Sequence, residues 1–266
     1  MRKTGFVCFC VDGQSDIDAL RQPFEELFDQ IGHDDIEVKF RYAEFQNKNH
    51  GDITSLDGVT PDNIEKYIYK YYFKNKDKKS ELGWDDVTTI IHIIDTDGAY
   101  VSRENVLFFS PEEEIKADSL ITNGSPKNTL YYENHIAVRY NPDGRYETIK
   151  RKRKNIEYLL NLKEITVGKK RVRYFLYFFS SNLDHFLYGD ANLTGSEKMQ
   201  QARSFSDRIM DASALVDFFN TSEYSCKCDY GRSWRDLSKG VCSLRRGTNV
   251  NLLIDTILNS TLEDWI

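Results

Sequence analysis

The sequence predicts an α/β fold: a mostly parallel sheet flanked by helices, with an insertion and a helical C-terminal extension. Phe6 to Val11 is an unbroken apolar run, the mark of a strand buried on both faces of a parallel sheet, and Val87 to Ile94 reads as a second central strand. Between them come a helical stripe, an alternating strand and a second helical stripe, the order that parallel crossovers require. The 266 residues, 40% hydrophobic and 13% aromatic, are enough for a real core without disulfides and exclude a disordered chain.

Each element has its own local reason. After Val11, Asp12-Gly13-Gln14-Ser15 turns the chain into a helix, with Ser15 as the expected N-cap and Asp16 and Asp18 in the first turn, where carboxylates suit the helix dipole. Ile17, Leu20, Phe24, Leu27, Phe28 and Ile31 make one stripe, and Gly32 ends it. Ile36, Val38, Phe40 and Tyr42 alternate with Glu37, Lys39 and Arg41, a half-exposed strand near a sheet edge. Thr60-Pro61 reads as the cap and first-turn proline of the next helix, and the lysine-rich 74–79 stretch as a solvated loop.

Residues 99 to about 147 carry Pro111, Pro126 and Pro142 and read as an insertion with little regular structure. A helix from Thr148 to Leu162 then leads into a strand over Val172 to Phe179, ended by Ser180-Ser181-Asn182. Thr194-x-x-Glu197 has the form of a capping box, opening a helix that runs to about Phe219; a second helical segment covers Asn251 to Trp265. The expected division is an α/β domain over 1–190, its insertion over about 99–170, and a helical extension over 191–266.

No apolar run approaches the roughly 18 residues of a membrane span, and Asp12 cuts the apolar start short. Five cysteines, two of them in a core strand, predict reduced thiols and a cytoplasmic protein. Cys226-x-Cys228 with Cys242 lacks the four ligands of a structural zinc site, and no P-loop is present, so any ATPase partner is a separate polypeptide. The net charge of −6 conceals a segregated pattern. Residues 150–173 hold ten basic side chains against Glu157 and Glu164, a local charge of +8. From this group Lys150, Arg151, Lys152, Arg153, Lys154, Lys170 and Arg171 are candidate phosphate-backbone contacts, joined by Arg245 and Arg246 in the tail.

Ligands of open parallel sheets collect beyond the carboxyl ends of the strands. Three such ends carry acids here: Asp12, then Asp95 and Asp97, then Asp184 after Asn182. Carboxylates gathered at short range repel unless neutralised, and Mg²⁺ binds through one or two carboxylates plus water and phosphate oxygens. Val11-Asp12-Gly13-Gln14-Ser15-Asp16 and Ile94-Asp95-Thr96-Asp97-Gly98 together resemble the TOPRIM domain, with its strand-end acid followed by Gly and a later strand-end Asp-x-Asp. The resemblance covers residues 1–100, with the strand at 172–179 as a fourth member of the sheet. The interruption and helical tail look most like nucleases of the overcoming-lysogenisation-defect and RloB-like type, often prokaryotic anti-phage or abortive-infection components.

That resemblance implies Mg²⁺- or Mn²⁺-dependent cleavage of DNA or RNA, with Asp95 and Asp97 as metal ligands. Asp12 would complete the site or position water, with Asp16 and Asp184 as further metal candidates. One departure stands out: the family's first acid is usually Glu, and Asp12 is shorter by one methylene. His185, beside Asp184, is a candidate proton donor. Two other readings share these residues. Asp95-Thr96-Asp97-Gly98 also fits the opening motif of haloacid-dehalogenase-type phosphatases, with Asp95 as nucleophile and Asp97 as acid/base. A TOPRIM-like domain without catalysis would instead be a sensor or partner-binding module. The expected partners are nucleic acid, a separate ATPase or sensor protein, and a second copy of the chain.

Overall fold

Strand β1 (Phe6–Val11) is buried along its whole length, and the main sheet is built around it. The computed structural model describes residues 5–32, 36–45, 51–74, 83–122, 124–209 and 211–265. Helix α1 (Gln14–Gln30) follows β1 and returns to the edge strand β2 (Glu37–Tyr42); helix α2 (Ile64–Ile68) and the π-helical turn Tyr69–Lys74 then lead to β3 (Val87–Asp95). The insertion holds β4 (Val106–Phe108), α3 (Pro111–Ser119), β5 (Ile121–Thr122), β6 (Ser125–Pro126), β7 (Thr129–Tyr131) and β8 (Ile136–Val138). Helix α4 (Pro142–Leu160) crosses to β9 (Glu164–Val167) and β10 (Lys170–Ser180). The chain ends through α5 (Leu183–Tyr188), α6 (Gly195–Arg208), α7 (Ala212–Thr221), α8 (Tyr230–Leu237), β11 (Gly247–Thr248) and α9 (Val250–Leu258).

The main sheet runs β2-β1-β3-β10-β11, and its first four strands are parallel. β9 and β11 pair antiparallel with the two ends of β10. Alternation along the strands gives two cores. Val7, Phe9, Val11, Ile91, Ile93 and Phe179 meet α1, α6, α7 and α9 on one face. Phe6, Cys8, Cys10, Ile90, Ile94 and Phe178 meet α2, the π-helical turn, α4 and α8 on the other. The buried His92 belongs to this second side, its Nδ1 2.8 Å from the Tyr174 hydroxyl. No helix among the described residues is long and apolar enough to cross a membrane.

Several elements depart from the sequence expectation. Helix α1 is capped at Gly13 rather than Ser15, because the Asp16 carboxylate turns back to accept the Gly13 and Asp12 amides at 2.9 and 3.1 Å. Asn63, not Thr60, caps α2: its side chain accepts from the Thr60 amide at 2.9 Å, making 60–63 a separate turn. In the lysine-rich stretch, residues 75–79 lie outside the described residues. The insertion is structured, with β4, β8 and β7 forming a small sheet. Val101, Val106, Ile136 and Val138 make their own apolar cluster with Ile149 and Leu244. Helix α4 starts at Pro142, capped by Asn141, whose side chain accepts from the Gly144 amide at 2.9 Å.

The capping box at Thr194 and Glu197 forms as expected, but the helix it opens stops at Arg208. Asp211 takes an extended backbone and caps a new helix, accepting from the Ala214 amide at 2.7 Å. The last helical segment is α9 followed by the single 3-10 turn Leu262–Asp264. These C-terminal helices share the core with α1, and β11 extends the sheet, so residues 191–265 are part of the α/β layer structure rather than an appendage.

This shared core has a measurable consequence. Ile254, fully buried in α9, should cost about 2–5 kcal/mol when cut to Ala, in one cooperative denaturant transition. A separate early transition for the C-terminal helices would show that they fold as a unit of their own.

Candidate active site

The chain runs from β1 outward to β2, then returns to the other side of β1 with β3, so the order reverses between β1 and β3. A crevice opens at such a switch point beyond the carboxyl ends of the strands. Asp12 leaves β1 there and Asp95 ends β3, while Phe179 near the end of β10 lies in register with Asp95. The sheet thus brings the predicted strand-end acids to one place.

The loops beyond β3 and β10 are locked together. The Asp97 amide donates to the Ser181 carbonyl at 2.9 Å, the Ser181 amide to Thr96 Oγ1 at 2.9 Å, and Thr96 Oγ1 to the Ser243 carbonyl at 2.8 Å. Asp97 and Ser181 both have left-handed backbones, with φ of 48° and 59°, a conformation costly outside glycine and concentrated at functional sites. Gly98, at φ 74°, is required twice over: a Cβ there would lie 2.8 Å from Ile136 Cδ1 and from Leu244 Cδ2.

The acids divide by what holds them. Asp97 Oδ2 accepts from Lys152 Nζ at 2.7 Å, and the same ammonium lies 2.8 Å from Asp52 Oδ2; the Lys152 side chain is only 2% exposed. Asp184, likewise buried, pairs with Lys198 at 2.5 Å. Asp16 caps α1. Asp95 Oδ1 accepts from the Leu183 amide at 2.9 Å, fixing the start of α5. Asp12 Oδ2 accepts weakly from the Asp95 amide at 3.3 Å, and its Oδ1 is buried without a hydrogen-bond partner among the described residues.

Electrostatics follows this division. Burial, reinforced by Asp52, pushes the Asp12 carboxyl well above the usual carboxylate range, and burial with Asp12 and Asp16 does the same to Asp95. Burial is also the main cause that raises Asp16 to about 6. Asp97 goes the other way: burial alone would raise it, but Lys152 and Arg145 hold it below the ordinary value. Lys152 itself is held above the usual lysine value, because Asp52 and Asp97 outweigh the effect of its burial. Lys127, pushed down to about 8 by burial and by Lys198, adds a cation on the side of Asp184.

The structure therefore gathers Asp12, Asp16, Asp95 and Asp97, and brings Asp184 beside Asp16 through Lys198. His185 is different. It is buried, its Nδ1 has no hydrogen-bond partner among the described residues, and its charged surroundings are Glu133, Arg246 and Asp190. Burial lowers its pKa, so it is a neutral ring facing the insertion rather than a proton donor among the strand-end acids.

The basic run is also corrected. Lys152 is no surface contact, because it sits on the inner face of α4 with Ile149, Ile156 and Leu159. Arg151 binds the Ser55 carbonyl and Asp57, and Arg153 the carbonyls of Ala99 and Val101. Lys150 pairs with Glu147, Lys170 reaches the Asp85 carbonyl, and Arg246 binds the Phe186 carbonyl under the Tyr224 ring. Lys154, Arg171 and Arg245 remain exposed.

Sequence reasoning missed Asp52, Lys198, Arg145 and Tyr131. Arg145 donates to the Tyr131 hydroxyl at 2.5 Å, and both border Asp97. The burial of Lys152 had a signal, its spacing of three from Ile149 and four from Ile156. Asp52 had none.

No family model, no curated protein and no solved structure matches this chain. Among the described residues, no three His, Cys, Asp or Glu side chains form a metal-ligand group. Asp12 and Asp95 still fit a cation of the Mg²⁺ type: two adjacent desolvated carboxyls, one with a buried unpartnered oxygen, leave the remaining positions to water and phosphate.

Two outcomes test these electrostatics. Carboxyls whose folded pKa is raised stabilise the fold fully below the unfolded value of about 4 and lose that contribution as pH rises through the folded value. In EDTA, stability from Asp12, Asp16 and Asp95 should therefore fall as pH rises from about 4 through about 6 and beyond, and Asp12→Asn or Asp95→Asn should flatten the fall. Denaturant unfolding across pH checks this, and identical profiles for wild type and both variants would contradict it. Separately, Lys152→Met strands the buried Asp52 carboxylate and the half-buried Asp97 and should cost about 3–5 kcal/mol at neutral pH. The loss should shrink in acid, where the stranded Asp97 carboxylate protonates.

Proposed function

We propose that this chain is a metal-dependent nuclease that hydrolyses phosphodiester bonds of DNA or RNA, with Mg²⁺ or Mn²⁺ held by Asp12 and Asp95. The observation that carries the proposal is the half-buried pair at the β1/β3 switch point, where Asp12 Oδ1 is buried and unpartnered among the described residues. A bound cation would favour the charged forms that burial and mutual repulsion disfavour. The bound ion would supply charge neutralisation and Lewis-acid polarisation of a phosphoryl oxygen.

The chain's own groups do the rest. Lys152 keeps Asp97 ionised and fixed, and with it the loop that carries Asp95. Asp16, at about 6, can take or give a proton near neutral pH while its second oxygen stays on the α1 amides. Lys198 and Arg145 offer positive charge to the non-bridging oxygens of a substrate phosphate. In keeping with the TOPRIM resemblance, the proposal includes a role as an anti-phage, abortive-infection effector. The phosphatase reading is less well supported. Asp97, paired with Lys152, is a poor general acid, and Ser180 Oγ is committed to the Cys242 carbonyl at 2.8 Å.

Labelled single- and double-stranded DNA, RNA and tRNA incubated with Mg²⁺ or Mn²⁺ test the proposal. Asp12→Ala and Asp95→Ala should each lower cleavage at least about 100-fold, and Mn²⁺ binding measured by calorimetry should be lost with them. Variants that cleave like wild type, or a wild type that binds no divalent cation, would overturn it. Turnover of a small phosphate ester with nucleic acids left intact would favour the phosphatase.

A further inference from the structure

Outside the acid cluster, the molecule brings all three of its non-core cysteines to one cavity of about 480 Å³. It lies beside the end of β10 and β11, and Cys226, Cys228 and Cys242 line it together with Lys227, Arg232 and Arg245. The Cys226 and Cys228 sulfurs are 2.7 Å apart. That is inside ordinary sulfur–sulfur contact and longer than the roughly 2.05 Å of a disulfide bond, so the two side chains face each other directly.

Both cysteines are half-buried, within reach of a small reagent. Their backbones are fixed from two sides. The Cys226 amide donates to the Thr248 carbonyl at 2.9 Å, and Asn251 Nδ2 donates to the Cys226 carbonyl at 2.8 Å. Cys228 directly precedes Asp229, the cap of α8, which accepts from the Arg232 amide at 2.9 Å. The pair is therefore pre-organised rather than brought together by chance motion of a loop. Burial and the neighbouring Cys226 side chain push the Cys228 thiol up to about 12.

We propose that Cys226 and Cys228 are a redox-active dithiol that exchanges with a small anionic disulfide to form an intramolecular Cys226–Cys228 disulfide. The cationic wall of Lys227, Arg232 and Arg245 selects the anionic reagent, Asp236 being the acid on that wall. In the first step Cys226 gives up its proton to water and attacks one sulfur of glutathione disulfide, forming a mixed disulfide and expelling a glutathione thiolate, which takes up a proton in turn. In the second, Cys228 loses its proton to water and attacks Cys226 Sγ, expelling the second glutathione. Two electrons pass from the protein dithiol to the reagent, one glutathione disulfide becomes two glutathiones, and the atoms balance. The proposal does not depend on the nuclease reading.

The test equilibrates the whole chain in glutathione redox buffers, blocks remaining thiols, and maps the products after trypsin. Lys227 lies between the two cysteines, so the expected product is peptide 209–227 joined by a disulfide to peptide 228–232. Its equilibrium constant should be at least about tenfold larger in the folded chain than in guanidinium, equivalent to about 30 mV for a two-electron couple. Cys226→Ser and Cys228→Ser should stop at a mixed disulfide, whereas Cys242→Ser should react like wild type. Glutathione disulfide should react faster than the cationic disulfide cystamine, and Arg232→Glu should narrow or reverse that preference. Equal constants in folded and unfolded chain, a product linked through Cys242, or no preference between the two reagents would overturn the proposal.

Discussion

Carboxylates at the ends of adjacent parallel strands repel one another at short range, and the rest of the molecule is arranged around that repulsion. Parallel pairing of β1 with β3 and of β3 with β10 fixes where Asp12, Asp95 and the 181–184 loop must lie. The structure then treats the acids unequally. Lys152 neutralises Asp97 and Asp52 together, and Lys198 neutralises Asp184. Among the described residues Asp12 and Asp95 form no such ion pair, and burial with the neighbouring acids disfavours their charged forms. A fold seldom keeps two desolvated carboxyls side by side for packing alone.

The lysine clamp explains why distant parts of the chain belong to one site. Lys152 comes from the crossover helix α4, Asp52 from the segment before α2, and Asp97 from the turn after β3. Helix α4 also carries Arg145 towards Tyr131 of the insertion, so the insertion borders the acids instead of standing apart. On the far side, the turn Cys242–Leu244 receives the hydroxyls of Thr96 and Ser180 on its backbone carbonyls. The C-terminal segment thus buttresses the strand-end loops as well as closing a face of the sheet.

Much of this was legible in the sequence where local chemistry decides the outcome. The apolar run at 6–11 and the β-branched run at 87–94 read as central strands, and parallel pairing brings the acids after them to the same edge. The capping box at Thr194 and Glu197 and the edge strand at 37–42 follow from equally local rules. What stayed hidden depended on distant partners. Val106 and Ile136 pair across thirty residues in a small parallel ladder that no local pattern announces. In the run Lys150 to Lys154, helix phase with Ile149 and Ile156 turns Lys152 inward while Lys154 faces water, but the buried acid that meets it, Asp52, comes from a hundred residues away. Amphipathic helices at 195–208 and 212–221 show that they cover something, but not that they cover the same sheet as α1.

The central claim is the unequal treatment of the strand-end acids, and site-resolved carboxyl NMR titration measures it directly. Asp97 should titrate below the ordinary aspartate range, and Asp12 and Asp95 above it. Added Mg²⁺ should bring Asp12 and Asp95 back down while leaving Asp97 in place. Ordinary, Mg²⁺-insensitive titration of Asp12 and Asp95 would contradict the account.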